Sequence, residues 1–491
     1  MPIPRERDDD GRRALLALAG ITLLAALLRF TALTAEDLWF DEVFSVVLAS
    51  QDLPELLRRA LADQTNPPGF YVALWGWAHL SSFDPAWLRA LPALAGTLTV
   101  PAVALFGRAL GMHWGAALLA ALLAAASPLL LAMSLEVRAY APVALFTAIS
   151  LTFAVRMAQD DVRAPRLTLS LAVTELVLVS LHYFGALVVV GGLVSVWWTR
   201  RARLRASIIA AIPAGTALGL WAGLVVMNAS GPRVGGNADW IATPGLDALS
   251  GLASLAVGTF GTLAGAVLVG ALFVAAIVWA GIVAVVPPSV PPSVPPTVPP
   301  SVPPSVPPST RARWLLTTAL LPLAIVLTVG VLTQRSLWVG RYLIIALPPL
   351  WLLAAESVWS TPRTLRVAAV TTLTTWALLA GPLAERARER KPSWSLVVRA
   401  LSGGSPATVC VNEPFLGLTL QYHALLEQLP LRVLDFLACA TQHADGTAIL
   451  RPETAASLAT LAREGAVVGP ARALGTALPD TELHTLRWST R

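Results

Sequence analysis

Two adjacent carboxylates, Asp41 and Glu42, stand in the run Leu38-Trp39-Phe40-Asp41-Glu42-Val43-Phe44-Ser45, shortly after the first long apolar stretch. At a membrane surface, ringed by Trp39, Phe40 and Phe44, they would be partly desolvated. A carboxylate there has a raised pKa and can serve as a general base. The plainer alternative is a solvated acidic turn continuing Glu36-Asp37. Further along comes Asp63-Gln64-Thr65-Asn66-Pro67-Pro68-Gly69-Phe70-Tyr71, in which the double proline forces an extended turn before an aromatic helix. Asp63 and Asn66 are its candidate substrate contacts.

Three later groups supply cations and aromatic hydroxyls. In Ser134-Leu135-Glu136-Val137-Arg138-Ala139-Tyr140, an arginine at membrane depth must snorkel or meet an anion. A lipid phosphate is such an anion, and Tyr140 could donate a hydrogen bond to it; the alternative is a Glu136–Arg138 surface pair. His182-Tyr183-Phe184-Gly185 offers His182 and Tyr183 either as substrate contacts or as interfacial residues. Gln334-Arg335-Ser336-Leu337-Trp338-Val339-Gly340-Arg341-Tyr342 adds Arg335, Arg341 and Tyr342. His79, His113 and Glu175 read as structural.

The elements that must position these groups are membrane spans. Of 491 residues, 56% are hydrophobic and only 13% charged, whereas a soluble domain carries roughly 25% charge. Apolar stretches long enough to span a bilayer recur from Ala14 to Leu383. This reads as an all-α polytopic membrane protein of about eleven transmembrane helices. The expected spans are 14–33, 88–107, 115–133, 139–157, 167–181, 184–199, 206–227, 262–286, 314–333, 342–359 and 365–383. The first resembles an uncleaved signal anchor behind a short cytoplasmic N-terminus, 1–13.

The net charge of +6 does not point to nucleic acid, because its carriers are almost all arginines clustered between spans, with Lys391 the only lysine. Arg108, Arg156, Arg163, Arg166, Arg200 to Arg205, Arg311, Arg313, Arg363 and Arg366 all fall on one expected side, the cytoplasmic one. The five polar groups fall on the other.

Three hydrophilic pieces complete the chain. The first external loop, 34–87, carries short amphipathic candidates at Leu53–Leu61 and Phe70–Leu80. A Pro-Pro-Ser/Thr-Val repeat within 287–310 reads as a cytoplasmic polyproline II linker, or else as a docking strand for an SH3-like domain. The tail, 384–491, expected outside, reads as strand, helix, strand at Ala407–Val411, Phe415–Gln428 and Leu431–Phe436, hence a small α/β C-terminal domain. Cys410 and Cys439 lie in it without metal-type spacing; a disulfide is open to them in an oxidising compartment.

Asp41-Glu42, Asn66-Pro67-Pro68-Gly69-Phe70-Tyr71, Glu136-Val137-Arg138-Ala139-Tyr140, His182-Tyr183-Phe184 and Arg341-Tyr342, in that order, resemble the GT-C glycosyltransferases. The likeness is to the protein O-mannosyltransferase and aminoarabinose-transferase branch, over residues 14–383. It implies sugar transfer from a polyprenyl-phosphate donor to a lipid, glycan or protein acceptor at the external face of a bacterial inner membrane. It further implies Asp41 as the base, Glu42 assisting, Arg138, Tyr140, Arg341 and Arg335 on the donor phosphate, and inversion in one displacement. The family commonly has His where Asn66 stands, so no metal and no cofactor are expected. A lipid-linked oligosaccharide polymerase or ligase, and a transporter or flippase, are the competing readings.

Overall fold

A computed structural model of the chain describes residues 5–64, 66–160, 164–228, 263–285, 306–333, 337–387, 393–402, 407–411, 414–442, 445–450, 466–468, 472–473 and 482–488. The Pro-Pro-Ser/Thr-Val tract up to residue 305 and Arg335 lie outside these residues. The chain forms two compact units, one of residues 1–32, 51–82 and 87–388, the other of 33–50, 83–86 and 389–491.

The first unit is helical. Its elements are α1 (Arg5–Phe30), then α2 (Phe40–Ala49) of the other unit, α3 (Leu53–Asp63), α4 (Gly69–Leu80) and α5 (Pro85–Ala109). Next come α6 (Trp114–Ala126), α7 (Pro128–Ser134), α8 (Tyr140–Gln159), α9 (Ala164–Leu181) and α10 (Gly185–Thr199). α11 (Leu204–Asn228), α12 (Leu263–Val285), α13 (Pro308–Thr333), a 3-10 turn Gly340–Ala346, α14 (Leu347–Trp359) and α15 (Arg363–Ala387) complete it.

Among the described residues six helices are long and apolar enough to cross a bilayer, within α1, α5, α8, Arg201–Asn228, α13 and Gly340–Trp359. The bent pair α6 and α7 makes a seventh if counted as one span. Other expected spans are present as helices of a different character. α10 has only 15 residues, and α9 carries Arg166 and Glu175. Two features of the first loop were not anticipated: Asp41 and Glu42 open a helix of their own, α2, and α5 begins already at Pro85.

The expected single span 115–133 is broken by 55° between α6 and α7. Pro128 has no N–H and cannot continue the ladder of α6, so Ser127 caps a new helix, accepting the Leu130 N–H at 3.3 Å. The break frees carbonyls in an apolar interior, where each needs a partner. Arg29 of α1, fully buried, supplies one. Its Nη1 donates to the Ala125 carbonyl at 3.4 Å and to Ala25 O at 3.0 Å, while its Nε donates to Ser134 Oγ at 3.0 Å. α5 passes so close that a Cβ at Gly96 would collide with Ser134 Oγ and stand 2.9 Å from Arg29 Nε. Arg29 thus fastens the end of α6 and the end of α7 to α1.

Groups from the expected cytoplasmic loops meet at one end of this unit. Arg311 pairs with Glu356 at 2.8 Å and donates to Gly111 O at 3.0 Å. Gln159 donates to Ala109 O at 3.2 Å. His113 caps α6 through the Gly115 N–H and stacks on Trp359, which Arg366 also covers.

The second unit holds α2, α16 (Trp394–Ser402), α17 (Pro414–Leu426), α18 (Phe436–Gln442) and a sheet. The strands are β1 (Ala407–Val411), β2 (Leu431–Asp435), β3 (Gly446–Leu450), β4 (Ala466–Val468), β5 (Arg472–Ala473) and β6 (Glu482–Trp488). β1 runs parallel to β2 and β3; β6 is antiparallel to β3, β4 and β5. Parallel β1 and β2 require a crossover, and α17 is that helix. Its Leu416, Leu420 and Ala424 pack with Trp394, Val397 and Val398 of α16 and with Val409 and Val411. Cys410 and Cys439 form a disulfide.

Replacing Arg29 with Leu is expected to strand the Ala125 carbonyl and Ser134 hydroxyl and to cost about 1.5–3 kcal/mol per charge-assisted bond lost. Thermal unfolding in detergent measures it, with Ser134→Ala as the milder comparison.

Candidate functional site

At the end of the helical unit away from the arginine-rich loops, a narrow cleft is lined by Asn66, Phe70, Tyr71, Arg138, Ala139, Tyr140, Leu181 and His182. Three devices assemble it. Gln64 ends α3 in the left-handed conformation (φ 59°), a chain-reversing cap. Gly69 lets α4 start against the end of α9, since a Cβ there would lie 2.5 Å from Ser180 O. The short α7, held by Arg29, delivers the turn Leu135–Ala139, in which the Arg138 N–H donates to Glu136 O at 2.7 Å.

Tyr140 sits at the centre. The guanidinium carbons of Arg138 and Arg341 each lie 5.9 Å from its ring centroid, within cation–π range. Arg341, from the 3-10 turn, is also 5.9 Å from the Tyr342 ring. Tyr140, His182, Phe184 and Tyr342 form one aromatic cluster, with His182 5.1 Å and Phe184 5.4 Å from Tyr342. The buried Tyr140 hydroxyl has no hydrogen-bond partner among the described residues. Arg138 and Glu136 are both buried, which rules out the alternative of a solvated surface pair.

His182 Nδ1 accepts the Phe184 N–H at 3.1 Å, so the neutral ring carries its proton on Nε2. Burial first, and then the charges of Arg138 and Arg341, push its pKa down to about 3. His182 is therefore a neutral hydrogen-bond donor, unsuited to proton abstraction by way of its imidazolium. Tyr71, buried beside Arg138, is pushed up to about 12 by desolvation, and it shares a hydrogen bond with the Asn66 side chain.

Of the residues proposed from sequence, Asn66, Arg138, Tyr140 and His182 line the cleft, and Arg341 and Tyr342 pack beside the Tyr140 ring. Tyr183 and Asp63 do not line the cleft. The Tyr183 hydroxyl donates to Gln64 O at 3.3 Å and accepts from Trp221 Nε1 at 3.0 Å, so it fixes the turn after α3. Asp63 acts on Tyr71 and Tyr183 through its charge, opposing their ionisation. Glu175 is buried in α9, with no partner for its Oε2 among the described residues.

Asp41 and Glu42 belong to the other unit. They occupy the first turn of α2, where the helix dipole favours negative charge. Glu42 is completely buried and its Oε2 accepts the Trp39 N–H at 3.3 Å. Ser45 Oγ donates to the Asp41 carbonyl at 3.0 Å.

Sequence reasoning missed Arg29, read as part of an apolar run, and did not single out Tyr71 or Phe184 as site residues. Their signal was local: Tyr71 and Phe184 close the runs Asn66–Tyr71 and His182–Phe184 that carry the family resemblance. Among the described residues no three His, Cys, Asp or Glu side chains gather as a metal site would require.

No protein-family model matches the chain, and no curated protein matches it by sequence. Solved structures do match it in fold. ArnT from Cupriavidus metallidurans in the apo state superposes with a TM-score of 0.62 at 14% identity, over 97% of this chain and 98% of that one. The same protein bound to undecaprenyl phosphate gives 0.58 at 12%, over 96% and 98%. The oligosaccharyltransferase AglB from Archaeoglobus fulgidus, in complex with an inhibitory peptide and a dolichol-phosphate, gives 0.52 at 12%, over 86% and 64%. The chain has the GT-C fold that its sequence resembles.

A histidine whose folded pKa lies below its unfolded one binds fewer protons when folded. Its share of stability is complete above about pH 6.5 and is lost as pH falls from there toward 3. His182→Phe is accordingly expected to lose less thermal stability than the parent between about pH 6.5 and 4.5, as measured by unfolding in detergent at both values.

Proposed function

We propose that the protein is a membrane glycosyltransferase that moves a sugar from a polyprenyl-phosphate donor to an acceptor hydroxyl, with inversion. The observation that carries this reading is the pair of guanidinium groups beside Tyr140, of which Arg138 lines the cleft with it. It stands in a fold shared with a protein bound to undecaprenyl phosphate.

In this reading Arg138 and Arg341, with Arg335 of the same loop, bind the donor phosphate, and the Tyr140 hydroxyl donates to one of its oxygens. His182 adds its Nε2–H; Asn66, Asp63, Tyr183 and Tyr342 shape the surroundings. Asp41 takes the proton of the acceptor hydroxyl, assisted by Glu42. The acceptor oxygen bonds to the anomeric carbon as the bond from that carbon to the phosphate oxygen breaks. Polyprenyl phosphate leaves with its growing charge held by the arginines. One base and a clamped leaving group need no covalent intermediate, and a single displacement inverts the centre.

The phosphate charge is met by guanidinium groups, so we propose no metal requirement, and EDTA should leave the rate unchanged. The Cys410–Cys439 disulfide, which an oxidising compartment favours, and the arginine-rich loops at the other end of the spans support an active face outside the cytoplasm of a bacterial inner membrane. The sugar is a hexose or pentose; the acceptor is a lipid, glycan or protein hydroxyl.

Membranes carrying the protein, incubated with tritiated hexose and pentose derivatives of undecaprenyl phosphate, should transfer label. Asp41→Asn, normally inserted, should lower the rate about 10²–10⁴-fold. Arg138→Gln should raise the donor KM about 10–100-fold, the worth of one charge-assisted contact. Unchanged transfer by Asp41→Asn with loss on Arg138→Gln would replace this mechanism with that of an oligosaccharide polymerase or ligase. Uptake into vesicles without product would point to transport.

A further inference from the structure

Within the second unit, three hydrogen bonds tie residues 37 and 38 of the first loop to two C-terminal helices. Leu38, three residues before Asp41, is buried, and its carbonyl lies 2.8 Å from Nε2 of His423 on α17. A carbonyl oxygen only accepts, so the ring must present Nε2–H. His423 is itself buried, and its Nδ1 has no hydrogen-bond partner among the described residues. Desolvation holds its pKa below the ordinary value despite the nearby carboxylates of Asp37, Glu427 and Glu42. The contact requires a proton on Nε2, which the neutral ring favoured by burial supplies as its Nε2–H tautomer.

The preceding residue is held by a different helix. Asp37 Oδ2 accepts the Ser395 N–H at 2.8 Å and the Ser393 hydroxyl at 3.4 Å. Ser395 stands in the first turn of α16, whose leading N–H groups have no partner within the helix. Asp37 therefore caps α16 from a point more than 350 residues away in sequence. Two consecutive residues, Asp37 and Leu38, are bonded to two helices that share one apolar core with the sheet. α2 begins directly after them, with Asp41 in its first turn, and α17 packs along α2.

We infer that the C-terminal domain is a clamp for the acidic loop, with His423 a positioning residue that sets the start of α2, and so the aim of Asp41, through the Leu38 carbonyl. This rests on the reading of Asp41 as the base.

The test uses the full-length protein in membranes and the undecaprenyl-phosphate sugar that it transfers. His423→Phe keeps the ring and loses the donor; in His423→Gln the side-chain amide can again donate. His423→Phe should lower kcat about 10–100-fold, as misplacement of a reacting group by about 1 Å does, with the donor KM within about twofold of the parent. His423→Gln should recover most of kcat. Asp37→Ala, which leaves the core untouched, should lower kcat in the same way. Amide hydrogen exchange over residues 38–44 should quicken in His423→Phe and Asp37→Ala and not in His423→Gln. The Cys410–Cys439 disulfide, read by mobility without reductant, should persist in all three.

Parental kcat and exchange in both His423→Phe and Asp37→Ala would overturn the clamp. So would equal losses in His423→Phe and His423→Gln, or faster exchange spread over β1 and β2, which mark a merely structural histidine. Should Asp41→Asn retain transfer, it is the reading of Asp41 that fails; the exchange measurement, which needs no turnover, still decides whether His423 and Asp37 hold the loop.

Discussion

An apolar bundle can contain a broken helix only if something answers the backbone groups that the break exposes. Arg29 does this for the break at Ser127–Pro128. Water is not available to carbonyls in the interior of such a bundle, and five guanidinium donors in a rigid fork can reach several acceptors at once. The fork joins α1, the end of α6 and the end of α7. The Glu136–Arg138 turn therefore begins from a fastened point. α5 packs so closely here that a Cβ at Gly96 would run into Ser134 Oγ and Arg29 Nε.

The cleft depends on the same economy of charge. Two arginines face one tyrosine ring, and the aromatic cluster provides them with quadrupoles while it excludes solvent. Burial first, and then these two charges, hold the His182 pKa well below the ordinary histidine value. A site with two guanidinium groups, a buried phenol hydroxyl and a neutral imidazole donor is rich in donors. Its natural complement is an anion with several acceptor oxygens.

The C-terminal unit shows how a soluble-looking α/β domain becomes part of a membrane protein. Its helices α16 and α17 complete their capping and packing with residues of the first loop, Asp37 and Leu38, and with α2. Glu42, fully buried, contributes to the cap of α2. The acidic loop and the tail, at opposite ends of the chain, are one folded body.

Much of this was legible in the residue order. Low charge and long apolar stretches determine a membrane bundle, because only helices satisfy their own backbone in lipid. Clustered arginines mark one side, and Ala407–Val411 and Leu431–Phe436 with a helix between them read as a small α/β domain. The five polar groups were visible as span ends, and six of their residues do meet: Asn66, Arg138, Tyr140, His182, Arg341 and Tyr342. What no local pattern could express is which distant groups answer one another. Arg29 reads as part of an apolar run, Tyr183 as a site residue rather than a tie to Gln64, and His423 as one residue of an expected helix. Hydrogen bonds across 105, 119 and 385 positions leave no periodicity in sequence; they exist only once packing has excluded water and made each unmet donor or acceptor costly.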